Sequence, residues 1–128
     1  MKTRPVVFVI DDEETIRGSL SKLLAAIAVP CETFASAEAF LAGYAGQQPA
    51  CLLVDVRMPG MSGLDLIEEI GRRGLSLPAI VMTGHTDLPS LERLDTIPTI
   101  GFLEKPFSVG DLRPLLERWW DTLEDWTS

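Results

Sequence analysis

Five polar residues stand just past apolar runs of this sequence. Asp11 and Asp12 follow Val6-Val7-Phe8-Val9-Ile10, and Asp55 follows Leu52-Leu53-Val54. Thr83 follows Ala79-Ile80-Val81-Met82, and Lys105 comes two residues after Ile100-Gly101-Phe102-Leu103. A single acid at such a point is ordinarily there for loop solvation. Three carboxylates brought together from two runs are different, because packed like charges raise each other's pKa and cost free energy unless a cation compensates. Lys105 is one fixed positive charge. A hard divalent cation such as Mg²⁺ is the other candidate, since it takes carboxylate and carbonyl oxygens while keeping some of its waters.

For these residues to meet, the apolar runs must be neighbouring strands that end on one rim. Short, continuously apolar runs read as strands buried on both faces. Between them lie helical patterns. Ile16, Leu20, Leu23, Leu24 and Ile27 share one helical face, and Pro30 follows its end. Cys31-Glu32-Thr33-Phe34 reads as a short edge strand, and Ser36 as the cap of a small helix through Leu41. After Asp55, the breakers Pro59, Gly60 and Gly63 precede a helix with Leu64, Ile67 and Ile70 on one side. Ser62 and Asp65 have capping-box spacing there, and Ser108 and Asp111 have it again before the last helix. That helix carries Val109, Leu112, Leu115, Leu116, Trp119 and Leu123 on one face, with Trp120 and Trp126 expected to be more exposed. A short helix around Leu88, Leu91 and Leu94 is cut off by Pro98. Strand and helix alternate five times, which predicts an α/β fold: a single five-stranded parallel sheet with helices on both faces. Ligands of such open sheets bind at the strands' C-terminal ends.

The composition narrows the function. A chain of 128 residues, 46% hydrophobic, is one domain with a packed core. Its net charge of −8 argues against direct nucleic-acid binding by this segment, because phosphate binding needs a basic patch. Cys31 and Cys51 have neither metal spacing nor a nearby His, so a reducing, cytoplasmic setting is expected. No run is long enough for a signal peptide's apolar region or a membrane span.

Taken together, Asp11-Asp12, Asp55 with Met58-Pro59-Gly60 and Gly63, Thr83-Gly84, and Lys105-Pro106 resemble the receiver domain of two-component response regulators. Three segments are most similar to the FixJ-like group: 55–64, Thr83-Gly84-His85, and 102–107. The resemblance covers nearly the whole chain. It implies one receiver domain over 1–128, with its core at about 5–123, and a (βα)5 flavodoxin-like or CheY-like fold with strand order 2-1-3-4-5. It implies that Asp55 accepts a phosphoryl group from a sensor histidine kinase or phosphotransfer protein. Asp12, Asp55 and the Arg57 backbone carbonyl would bind Mg²⁺, for which Mn²⁺ can substitute, with Asp11 acting through a water. Lys105 and Thr83 would contact phosphoryl oxygens, and Gly84 would leave room for them. Thr83 and Phe102 would form the switch; the plainer reading of Phe102 is a core position, which is compatible with that role. Arg57 and His85 would tune the lifetime of the acyl phosphate, although a lone rim His is ordinarily just solvated. The protein would be a phosphoacceptor with slow self-dephosphorylation rather than an enzyme.

The sequence departs from the family pattern before the fifth strand, at Ile97-Pro98-Thr99-Ile100-Gly101, where Gly101 replaces the usual acid. That puts in doubt the usual homodimer through the fourth helix, fifth strand and fifth helix, and leaves the C-terminal helix as another dimer surface. A stand-alone regulator is favoured over the receiver part of a FixJ-like transcription factor cut before its DNA-binding domain. Three further readings compete. An Asp-nucleophile phosphatase would often carry a second Asp two residues on, where this chain has Arg57. A flavodoxin-like flavin or nucleotide binder needs a phosphate loop where Asp11-Asp12-Glu13-Glu14 would repel the ligand. A phosphorylation-independent pseudo-receiver would not need all five key side chains.

Overall fold

The computed structural model describes residues 5–84 and 99–121. Its elements are β1 (Val6–Ile10), α1 (Glu14–Ala26), β2 (Cys31–Phe34), α2 (Ala37–Gly43), β3 (Ala50–Asp55), α3 (Gly63–Arg72), β4 (Ala79–Thr83), β5 (Gly101–Glu104) and α4 (Val109–Trp120). The five strands form one parallel sheet in the order β2-β1-β3-β4-β5, as the resemblance implied. The helix expected around Leu88, Leu91 and Leu94, together with His85, Pro98, Leu123 and Trp126, lies outside the described residues.

Side chains of a strand alternate between its two faces, and here each face has its own core. Phe8, Ile10, Leu52, Val54 and Val81 point to the side covered by Phe40 of α2 and by Leu64, Leu66, Ile67 and Ile70 of α3. Val7, Val9, Cys51, Leu53, Ile80, Met82 and Leu103 point to the other, covered by Leu20 and Leu24 of α1 and Leu112, Leu116 and Trp119 of α4. All six residues of β3 are buried, which is why that run reads as continuously apolar up to its acid. An interlocked set of rings, Phe8, Phe34, Phe40 and Tyr44, with centroids 5.3 to 6.0 Å apart, seals the α2 side. Cys31 and Cys51 are free thiols on strands separated by β1.

The helix starts follow the expected chemistry. The Ser36 hydroxyl accepts from the Ala39 N–H at 3.0 Å. Ser62 and Asp65 exchange reciprocal bonds of 3.1 and 3.2 Å. The Asp111 carboxylate accepts from the Ser108 N–H at 2.9 Å. These bonds satisfy N–H groups that a helix leaves without intrahelical partners.

Three expectations about apolar residues are corrected. Val109 is exposed rather than on the buried face: it is the first residue of α4, and burial on that helix begins at Leu112. Trp120 is half-buried against the α1/α4 core rather than exposed. Phe102 is 51% exposed and so is not a core residue, since β5 is an edge strand. The departure at Gly101 has a packing reason: a Cβ there would come within 2.6 Å of the Leu115 side chain, so the glycine lets α4 lie close on β5. Pro114 sits inside α4 without ending it, where Leu112, Leu116 and Trp119 are all buried.

The link from β3 into α3 is the tightest point of the chain. Gly63, the first residue of α3, donates its N–H to the Val56 carbonyl at 3.0 Å, and a Cβ on it would collide with the Asp55 carbonyl oxygen. That carbonyl belongs to the buried end of β3 and has nowhere to go. Gly63→Ala is therefore expected to destabilise the fold by about 1–3 kcal/mol, as overpacking does. Thermal unfolding measures it, and an unchanged melting temperature overturns the close approach.

Candidate functional site

The rim gathers its acids because three strands end at nearly the same level. In the sheet register Ile10 pairs with Val54 and Asp55 with Met82. Asp11, the residue after β1, therefore emerges beside Asp55, the last residue of β3. Asp11 is fully buried and Asp55 nearly so, while Asp12 is exposed. The three carboxylates offer oxygens that all lie within 4.8 Å of one another.

Lys105, the residue directly after β5, turns its ammonium back into this cluster. Nζ lies 2.8 Å from Asp11 Oδ2 and 3.3 Å from Asp55 Oδ2. Its backbone is held by a 2.8 Å bond from the Lys105 N–H to the Thr83 carbonyl, and its peptide bond to Pro106 is cis. Each buried acid is also oriented by the main chain. Asp11 Oδ1 accepts from the Glu13 N–H at 2.9 Å, and Asp55 Oδ1 from the Arg57 N–H at 3.2 Å. Both oxygens of Asp11 are thus already engaged, which leaves Asp12 as the acid facing solvent.

The electrostatics follow from burial and crowding. Burial pushes the Asp55 carboxyl up to about 6, against a usual value near 4. The Lys105 charge pulls it down, the Asp11 charge pushes it up again, and the Arg57 N–H pulls it down. Burial alone would lower Lys105, but its bond to Asp11 and the charges of Asp55 and Asp11 outweigh that and hold its pKa above the ordinary value.

Thr83 ends β4, one step past the residue paired with Asp55, and is buried. Its hydroxyl donates to the Leu103 carbonyl at 3.4 Å, a long bond that turns it towards β5. Arg57 and Asp12 line one groove of about 530 Å³ with Val56, Met58, Pro59, Ser62 and Leu64. Phe102 is not part of the acid cluster. It lines a separate groove of about 510 Å³ with Lys105, Phe107, Pro114 and Leu115, so Lys105 stands between the two. His85 lies outside the described residues.

Two residues at the site were not flagged by sequence reasoning. The Arg17 guanidinium, from α1, donates to the Asp11 carbonyl at 2.7 Å. The Glu38 carboxylate, from α2, accepts from the Met61 N–H at 3.1 Å. The signal for Arg17 was weak: a cation one turn into the helix that follows the acids. For Glu38 there was none, since its partner is 23 residues away.

The donor set fits a hard divalent cation. Its atoms are carboxylate oxygens, and three carboxylates against one ammonium leave two negative charges at close quarters. The raised Asp55 pKa gives a pH prediction for metal-free protein. Because the folded pKa lies above the unfolded one, the stability linked to this group is fully present below pH 4 and lost as pH rises through about 6. Asp55→Asn removes the charge without removing the shape. It is expected to stabilise the protein at pH 7.5 by up to about 2 kcal/mol, discounted for solvent at the rim. The gain shrinks towards pH 4. Urea unfolding with EDTA at both pH values checks this, and a gain that grows on acidification contradicts it.

Comparison with known proteins agrees with this geometry. The family model for the response regulator receiver domain matches residues 7–117. The chain is 39% identical over 115 residues to the DNA-binding transcriptional regulator NtrC of Salmonella typhimurium, covering 90% of this chain and 24% of that protein. It is 43% identical over 101 residues to the transcriptional regulatory protein FixJ of Azorhizobium caulinodans, covering 79% of this chain and 48% of that one. It thus spans about a quarter to a half of the length of these relatives. The crystal structure of FixJ-N superposes with a TM-score of 0.83 at 36% identity, over 92% of this chain and 94% of that one. With the rim acids, the lysine and the strand order already in place, these matches lead to one conclusion: the chain belongs to the receiver domain family of two-component response regulators.

Proposed function

We propose that residues 1–128 act as a phosphoacceptor receiver in which Asp55 takes a phosphoryl group from the phosphohistidine of a sensor kinase or phosphotransfer protein. A carboxylate oxygen of Asp55 attacks phosphorus, the P–N bond breaks with its electron pair going to nitrogen, and the imidazole, already protonated at its other nitrogen, leaves neutral. The observation that carries this reading is the Lys105 ammonium set between Asp11 and Asp55 at the mouth of the acid cluster. A nucleophilic carboxylate needs a fixed cation beside it, or the incoming phosphate is repelled.

The remaining roles follow from position. Asp12, Asp55 and the Arg57 carbonyl would hold Mg²⁺ or Mn²⁺ directly. Asp11, whose oxygens already accept from Glu13 and Lys105, acts through a water. The bound ion supplies charge neutralisation for the phosphoryl oxygens. Lys105 moves its ammonium from the carboxylates to a phosphoryl oxygen. Thr83 gives up its long bond to Leu103 and donates to another. Gly84 leaves the phosphoryl group room. The exposed Phe102 then reports the change on the β5 surface, and Arg57 and His85 set how slowly water hydrolyses the acyl phosphate. The protein is a phosphoacceptor with slow self-dephosphorylation, acting in the cytoplasm. Its partners are a sensor kinase or phosphotransfer protein and a second copy, docked through the family's fourth helix with β5 and α4, or through α4, the C-terminal helix, by itself.

Incubating the protein with acetyl phosphate and Mg²⁺ tests the chemistry. Wild-type protein gains one phosphoryl group by mass, EDTA abolishes the gain, and Asp55→Asn gains none. Labelling of Asp55→Asn at the wild-type rate removes Asp55 from the role.

A further inference from the structure

The loop between β3 and α3, residues 56–62, carries Arg57, whose N–H donates to Asp55 Oδ1 at 3.2 Å. Its ends are held by the sheet and by α3. The Val56 N–H donates to the Met82 carbonyl at 3.0 Å, and Ser62 is locked into its capping box with Asp65. Its outer turn is held differently. Gly60 has φ +76°, a left-handed conformation that L side chains rarely adopt, and the next residue, Met61, donates its N–H to Glu38 Oε2 at 3.1 Å. Glu38 lies in the first turn of α2. Gly60 also lies against the same carboxylate, and a Cβ on it would come within 2.7 Å of Glu38 Oε2. Left-handed turn, missing side chain and pinned N–H therefore describe one device, a helix carboxylate holding the outer turn of the loop.

From this we infer that Glu38 is a positioning residue for the metal site. By accepting from Met61 it fixes the path of residues 57–61, and so the direction in which the Arg57 carbonyl points. The inference rests on the proposed role of that carbonyl as a ligand. The hold depends on an acceptor and not on a negative charge, so a glutamine should serve in its place. Removing the acceptor leaves the donor set intact but lets its loop wander, and supports of this kind typically change metal affinity by roughly tenfold or more. The Glu38 bond is solvent-exposed and the Met58 and Met61 side chains also anchor the loop, so a three- to tenfold effect is expected.

Mn²⁺ titration of the full chain, followed by electron paramagnetic resonance, tests this without phosphorylation. Glu38→Ala is expected to bind Mn²⁺ three- to tenfold more weakly than wild type. Glu38→Gln is expected to bind within twofold of wild type. Hydrogen exchange at the Met61 amide should quicken in Glu38→Ala alone, with the melting temperature little changed. Glu38→Ala that binds like wild type overturns the inference, as does Glu38→Gln that is as weak as Glu38→Ala. Wild-type protein that takes up no Mn²⁺ overturns the metal reading together with this one, whereas normal wild-type uptake with no effect at Glu38 overturns this one alone.

Discussion

The rim rests on a charge imbalance held in place by one ammonium group. Asp11 and Asp55 are buried within reach of each other and of Asp12, and Lys105 touches both buried acids. Burying two carboxylates side by side is unfavourable, and the raised pKa of Asp55 records that cost. Lys105 offsets only part of it. A site left with excess negative charge is one that a small divalent cation can complete, and one that a phosphate cannot approach until it has. The same imbalance that costs stability in the bare protein would favour a cation at the site.

The sheet makes this arrangement possible at small entropic expense. Parallel strands put every β–α loop on one rim, and the central position of β3 buries it on both faces, so that only its last residue reaches the site. Gly63 lets α3 start hard against the Asp55 carbonyl, which keeps the end of β3 from drifting. Arg17 ties down the carbonyl of Asp11 from α1, on the opposite face of the sheet from α2 and its Glu38. Both layers of helices thus reach over the rim to steady the loops that carry its oxygens.

Much of this was legible in the sequence, and the reason is periodicity. The runs Val6–Ile10 and Leu52–Val54 are apolar because both faces are covered, and each stops at an acid, so strand, burial and site could be read together. The caps at Ser36, Ser62 and Ser108 depend on neighbours within four residues and were equally readable. What failed to show depends on distance along the chain. Glu38 meets Met61 through the fold and leaves no local pattern. Phe102 looked like a possible core residue because a strand pattern does not say which strand is the edge. Trp120 looked exposed because adjacent helix residues face apart, yet the core wraps far enough around α4 to shelter both tryptophans. Gly101 read as a lost acid, whereas in the fold it is the gap that admits Leu115.

The geometry between Asp55 and the β5 surface shows how a local charge change can travel. Thr83 stands between them, one step beyond the pairing of Asp55 with Met82. Its hydroxyl is spent on the Leu103 carbonyl at 3.4 Å, near the limit of a useful hydrogen bond, while its own carbonyl accepts from the Lys105 N–H at 2.8 Å. In the proposed function a phosphoryl oxygen on Asp55 would compete for this weakly committed hydroxyl and would draw Lys105 towards the same place. Both moves act on a short edge strand, whose neighbours are β4 on one side and α4 on another. Phe102 lies between those two attachments, half-exposed and lining the groove that Lys105 also lines. About half of the ring lies outside the packed core, so a small shift of β5 would change the surface it presents.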